Sequence, residues 1–147
     1  MPRSNIGSTP SLKILHVDGD VDFLKVAKEC LELEGPFQVE TALSIEEAFK
    51  KLKTGAFGAI VSGDRIHAKS GLDFLQGLRE KRIDTPFIIL AGDSKEKVVE
   101  ALSCDGIRII NKFGKPEIVY NELGRCIRES TQCKKERKRA KGDPHLR

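Results

Sequence analysis

Asp18-Gly19-Asp20-Val21-Asp22 packs three carboxylates around one glycine. Acids spaced this way can hold a divalent cation, or they can decorate a helix N-terminus, where the helix dipole favours negative charge. The residues alone leave both readings open. A nucleotide or flavin phosphate is disfavoured, because it wants glycine-rich turns without nearby anions. Two further stretches carry reactive side chains. Ser62-Gly63-Asp64-Arg65-Ile66-His67-Ala68-Lys69-Ser70-Gly71 holds Asp64 and His67, and Asn111-Lys112-Phe113-Gly114-Lys115-Pro116 holds Lys112. Asp18 and Lys112 meet only if their segments reach the same edge of a sheet. Cys30, Cys104, Cys126 and Cys133 form no CxxC pair, and His16, His67 and His145 are scattered. Free thiols are expected, rather than a disulfide framework or a zinc site.

The elements that must position these residues follow from periodicity. Five short apolar runs alternate with amphipathic segments. The expected strands are Leu12–Val17, Phe37–Thr41, Phe57–Ser62, Pro86–Ala91 and Ile107–Ile110. The expected helices are Val21–Glu34, Ser44–Lys53, Gly71–Arg82, Ser94–Cys104 and a last one from Pro116 to about Glu129. Asp18 or Asp20 caps the first helix, Gly35-Pro36 stops it, and Ser44-Ile45-Glu46-Glu47 fits a capping box. Strand alternating with helix predicts an α/β fold, an open, doubly wound parallel sheet with helices on both faces. Such sheets place their site at the carboxyl ends of the strands. Function is therefore expected in the loops at 18–22, 63–70, 91–94 and 111–116.

The chain has 147 residues, 39% hydrophobic and 33% charged, which suits one globular domain and argues against wholesale disorder. Its longest apolar run, Phe87–Ala91, is far too short to span a membrane. The first residues contain no apolar stretch to serve as a signal peptide, so a cytoplasmic location is expected. Residues 131–147 hold seven Lys/Arg (Lys134, Lys135, Arg137, Lys138, Arg139, Lys141 and Arg147) against Glu136 and Asp143. We divide the chain into a disordered segment 1–11, a folded domain 12–129 and a basic, unstructured tail 130–147. The tail can bind polyanions such as nucleic acid, weakly and without sequence preference, or it can simply solubilise the chain.

Residues 12 to about 129 resemble a response-regulator receiver domain. The resemblance rests on Ile14-Leu15-His16-Val17-Asp18, Ala59-Ile60-Val61-Ser62, Ser70-Gly71-Leu72-Asp73-Phe74-Leu75, Thr85-Pro86-Phe87-Ile88-Ile89-Leu90 and Asn111-Lys112-Phe113-Gly114-Lys115-Pro116, in that order and spacing. It implies a flavodoxin-like five-stranded parallel sheet of order 2-1-3-4-5. It also implies phosphotransfer to an aspartate ending strand 3. The family assists that transfer with an acidic pair after strand 1 holding a divalent cation, a Thr or Ser ending strand 4, and a Lys ending strand 5.

Carried over residue by residue, Asp18 matches the first acid and Lys112 the lysine. Gly19 stands where the second acid belongs, and Gly63 where the acceptor belongs. Ala91 replaces the hydroxyl residue, and Ile109 replaces the switch aromatic. The resemblance therefore implies a degenerate, non-enzymatic receiver that works by binding. No cofactor is expected: one carboxylate beside an ammonium holds Mg²⁺ poorly, and Lys112 is expected to pair with Asp18 instead. Two rivals are weighed. In one, Asp64 serves as the acceptor, with Asp18, Asp20 and Asp64 holding Mg²⁺. In the other, the basic tail is the active element. The implied partner is a signalling protein, a histidine kinase or an output protein, docking on the face made by the fourth helix, fifth strand and last helix. Lys95, Lys97, Arg108, Glu117 and Tyr120 lie there, with Tyr120 expected as a half-buried ring. No membrane partner is expected.

Overall fold

A computed structural model describes residues 11–91, 107–111 and 115–142. The expected helix Ser94–Cys104, with Lys95 and Lys97, and the strand-end Lys112 lie outside the described residues. Within them the order is β1 (Leu12–Val17), α1 (Val21–Glu34), β2 (Phe37–Ala42), α2 (Ile45–Thr54), β3 (Ala59–Gly63), β4 (Arg65–Ile66), β5 (Lys69–Ser70), α3 (Gly71–Glu80), β6 (Phe87–Ala91), β7 (Ile107–Asn111) and α4 (Pro116–Gly142). The main sheet runs β2-β1-β3-β6-β7 with every pairing parallel, while β4 and β5 form a separate antiparallel ribbon. This is the α/β, flavodoxin-like order expected.

Apolar strands buried on both faces split the core by residue parity. Ile14, Val39, Ala59, Val61, Ile88, Leu90 and Ile110 pack under α1 and α4 with Ala27, Leu31, Leu123 and Ile127. Leu15, Val17, Ile60, Phe87, Ile89 and Ala91 pack under α2 and α3 with Ala48, Phe74 and Leu78. Local chemistry sets the helix starts. Asp20 caps α1, accepting from the N–H groups of Asp22 and Phe23. Ser44 accepts from the Glu47 N–H at α2. Ser70 and Asp73 form a reciprocal capping box on α3. α3 stops at Glu80, short of the expected Arg82, because Arg82 turns left-handed with φ 61°. β3 runs one residue past Ser62, since Gly63 still pairs with Leu90.

The edge strand β2 is closed by side chains. The Val39 N–H donates to Glu32 Oε2 at 3.0 Å, and its carbonyl accepts from Lys28 Nζ at 2.8 Å. The Thr41 carbonyl accepts from Lys51 Nζ at 2.6 Å. These contacts occupy groups that would otherwise template another strand. Truncating Lys28, Glu32 and Lys51 together to alanine is expected to cost about 2 kcal/mol in urea denaturation. It should also produce concentration-dependent association in sedimentation velocity that the parent chain lacks.

α4 differs most from expectation. It does not end near Glu129 but remains helical to Gly142, so the tail expected to lack regular structure is helical over its first part. Among the described residues its buried stripe comprises Val119, Tyr120, Leu123, Cys126, Ile127 and Ser130. Residues 131–141 contain no interrupting Gly or Pro, and apart from Thr131 and Cys133 all are strong helix formers.

Tyr120 is only 3% exposed, not half-buried, and its ring lies 6.0 Å from that of Phe23. Burial, then the nearby Cys30, Asp18 and Asp20, push its phenol up from 10.0 to about 12. A raised phenol pKa means the folded state holds the proton more tightly. The resulting stability is therefore intact below pH 10 and lost as pH climbs toward 12. Since the chain has one tyrosine and no tryptophan, tyrosinate absorbance is expected to appear near pH 12 when folded and near pH 10 in denaturant.

Candidate functional site

Parallel register brings the strand ends to one edge. Val17 pairs with Ser62, Gly63 with Leu90, and Ala91 with Asn111, so Asp18, Gly63 and Ala91 share that edge. Asp18 is 3% exposed. Its backbone N–H donates to the Ala42 carbonyl at 3.1 Å, and its Oδ1 accepts from the Asp20 N–H at 3.0 Å. Its other oxygen fills the end of β3: a Cβ built on Gly63 would stand 2.7 Å from Asp18 Oδ2 and 3.2 Å from its Cγ. The Asp18 carboxylate thus occupies the space in which a side chain at 63 would begin.

β3 ends at Gly63, and the chain bends at Asp64. The Asp64 N–H donates to the Leu90 carbonyl at 3.1 Å, and the Asp64 carbonyl accepts from the Gly71 N–H at 2.9 Å. Gly71 sits so close that a Cβ there would collide with the Gly63 carbonyl oxygen. Ser62 Oγ, fully buried, donates to that same carbonyl at 2.8 Å.

The segment expected as a polar loop, 63–70, folds instead into the β4–β5 ribbon, with Ile66 buried beneath it. Strands of two residues carry no readable period, which hid the ribbon in the sequence. His67 takes the left-handed turn at φ 58°. Its Nε2–H donates to the Leu43 carbonyl at 2.9 Å, and its Cε1 lies 3.4 Å from where a Gly19 Cβ would stand. Lys69 pairs with Glu46 at 2.9 Å, and that hydrogen bond holds the Glu46 carboxyl below its ordinary value. The ribbon therefore bridges to the β2–α2 connection and covers Gly19. Nothing in the sequence pointed to this, since His67 and Leu43 belong to separate loops.

The other expected residues fall as follows. Asp20 is exposed and its Oδ1 already accepts two helix N–H groups. Asp64 is half-buried, Ala91 is buried in the α2–α3 layer, and Ile109 packs against that same layer. Arg108 is engaged with Glu129 at 3.2 Å, and Glu117 is exposed. Tyr120 is buried and so forms no part of a docking surface. Cys30 and Cys126 are free thiols, both raised in pKa chiefly by burial.

Among the described residues no three His, Cys, Asp or Glu side chains gather at metal-binding spacing. The structure therefore does not bring Asp18, Asp20 and Asp64 together as a cation site. Mg²⁺ wants octahedral oxygen coordination, and Asp18 supplies one buried carboxylate with Oδ1 already engaged, so the described donors do not fit it. No described helix is long and apolar enough to cross a membrane.

Comparison with known proteins agrees with this architecture. The acid tolerance regulatory protein ActR of Rhizobium meliloti (strain 1021) is 37% identical over 83 residues, covering 56% of this chain and 42% of that protein. The chain thus spans less than half the length of that relative. Among solved structures, a response regulator receiver domain protein from Clostridium thermocellum superposes with TM-score 0.73 at 23% identity, covering 84% of this chain and 97% of that one. The receiver domain of a Francisella response regulator gives 0.70 at 25% identity, covering 84% and 99%. Residues 14–123 match the response regulator receiver domain family, the signalling module of two-component systems, and the chain belongs to that family.

Proposed function

We propose that this receiver domain signals without being phosphorylated, as a protein-binding module held in one conformation. The observation that carries the reading is the Asp18 carboxylate at the end of β3, 2.7 Å from where a Gly63 side chain would begin. Glycine cannot form an acyl phosphate. Phosphoryl transfer needs positioned charge around the moving group, and the described donors supply one buried carboxylate. Ala91 and Ile109 carry neither a hydroxyl nor a ring to report on a phosphate. A ligand shifts a conformational equilibrium only through contacts that differ between the two states. The domain is accordingly non-enzymatic and needs no Mg²⁺.

Asp64 does not replace Gly63 in this reading. Asp64 follows the last residue of β3 with its N–H held by the Leu90 carbonyl, so its side chain leaves the backbone one residue beyond the acceptor position. The partner is a cytoplasmic signalling protein, a histidine kinase or an output protein. It docks on the β7–α4 face, where Glu117 and Ile118 are exposed.

Incubation of the purified chain with Mg²⁺ and a small acyl phosphate, followed by intact-mass measurement, tests the reading. The mass is expected to stay unchanged. A labile phosphoryl group mapped to Asp64 would overturn it.

A further inference from the structure

The chain leaves β3 and returns to α3 at almost the same place, since the Asp64 carbonyl accepts from the Gly71 N–H at 2.9 Å. Residues 65–70 are therefore not needed to span a distance. They make an excursion, the β4–β5 ribbon, and its anchors lie on other elements. Ile66, 2% exposed, joins the apolar layer that contains Val17, Ala42 and Ile45. At the tip, the His67 ring donates to the Leu43 carbonyl at 2.9 Å and lies against Gly19. On the returning strand, Lys69 reaches Glu46 in the first turn of α2 at 2.9 Å.

The tip is strained. His67 holds φ at 58°, a left-handed conformation that glycine takes without steric penalty. Such backbone persists where its surroundings over-determine it, and it clusters at clamps and switches. A plain tight turn favours glycine at this position. What histidine adds over glycine is the ring, and the ring is what meets Leu43 and Gly19. The two connections it touches also shape the strand-end site. The Asp18 N–H donates to the Ala42 carbonyl, the Asp20 N–H to Asp18 Oδ1, and the Leu43 N–H to Glu47 Oε1.

We propose that the β4–β5 ribbon is a built-in strap that locks the β1–α1 and β2–α2 connections in one arrangement, with the His67 ring as its fastening. A bound ligand can order loops of this kind through the contacts it makes. Here a segment of the chain supplies those contacts permanently. The inference deepens the phosphorylation-independent reading and rests on it for the strap's role, since loops already tied down leave a phosphate nothing to order.

Backbone ¹⁵N relaxation of the full chain tests it, because order parameters report the mobility of the folded state rather than its stability. In the parent, Gly19, Asp20 and Leu43 are expected to be as rigid as the sheet, with order parameters of about 0.85. His67→Gly relieves the left-handed φ but removes the ring, and should lower these values to about 0.6 or less while β1 and β6 keep theirs. His67→Asn tolerates the same backbone with a side chain too short to replace the ring, and should behave alike. Lys69→Gln should produce a smaller drop in the same loops, because an exposed ion pair contributes less. Parent values already below about 0.6 would overturn the strap. So would unchanged values in both His67 variants, or a drop shared equally by β1 and β6. Uptake of phosphate by the parent chain would remove the phosphorylation-independent reading and leave the relaxation pattern as it stands, so the two failures are told apart.

Discussion

Gly71→Ala is expected to destabilise the domain by about 3 kcal/mol, the upper range for forcing atoms into a packed site. The added methyl meets the Gly63 carbonyl oxygen, which is backbone and cannot rotate away. That carbonyl is itself fixed by Ser62 Oγ on one side and by the strand on the other. Relief therefore requires moving either α3 or the end of β3. Gly124→Ala is the matched control. Its Cβ would meet Glu34 and Phe37 at 3.5 Å and 3.6 Å, ordinary contact distances, within the interior of α4. Removing a helical glycine there should add up to about 1 kcal/mol. Urea midpoints moving in opposite directions at constant slope would bear out both assignments. Two equal losses would mean that Gly71 has no special packing role.

A paired substitution, Gly19→Asp with Gly63→Asp, is expected to make stability depend on Mg²⁺. A Cβ added at Gly19 finds His67 nearest, at 3.4 Å, an ordinary contact distance. A Gly63 side chain must displace the Asp18 carboxylate from 2.7 Å, and the three acids then repel one another. Gly63→Asp alone should therefore cost about 1–3 kcal/mol. The double variant offers an oxygen set suited to Mg²⁺. At a Mg²⁺ concentration ten times the dissociation constant it should gain about 1.4 kcal/mol, a rise in Tm of roughly 5 °C. The parent chain should show no shift. Equal Mg²⁺ responses in parent and double variant would place a cation site elsewhere and remove the basis for the proposed metal independence.

These expectations rest on features of unequal visibility in the sequence. The sheet order, the layers and the caps at Asp20, Ser44 and Ser70 were legible, because period, apolar runs and hydrogen-bonding side chains act within a few residues of one another. The identities at 18, 19, 63 and 91 were equally legible, and with them the question of phosphorylation. The β4–β5 ribbon was not, since its strands are too short to show alternation. The burial of Tyr120 was misjudged for a different reason. A ring at that position can turn outward or inward, and only the packing of α1 against α4 decides which.

What the residues determined unaided is composition of the strand-end site: one retained aspartate, two glycines and an alanine in a receiver-like frame. Only the folded chain decided where that aspartate goes. It turns into the gap left by Gly63, because a buried carboxylate takes the hydrogen bond of the Asp20 N–H and the space no side chain claims. Likewise, the charge of the last segment is plain in the sequence. That the last helix continues as far as Gly142 was decided only in the folded chain.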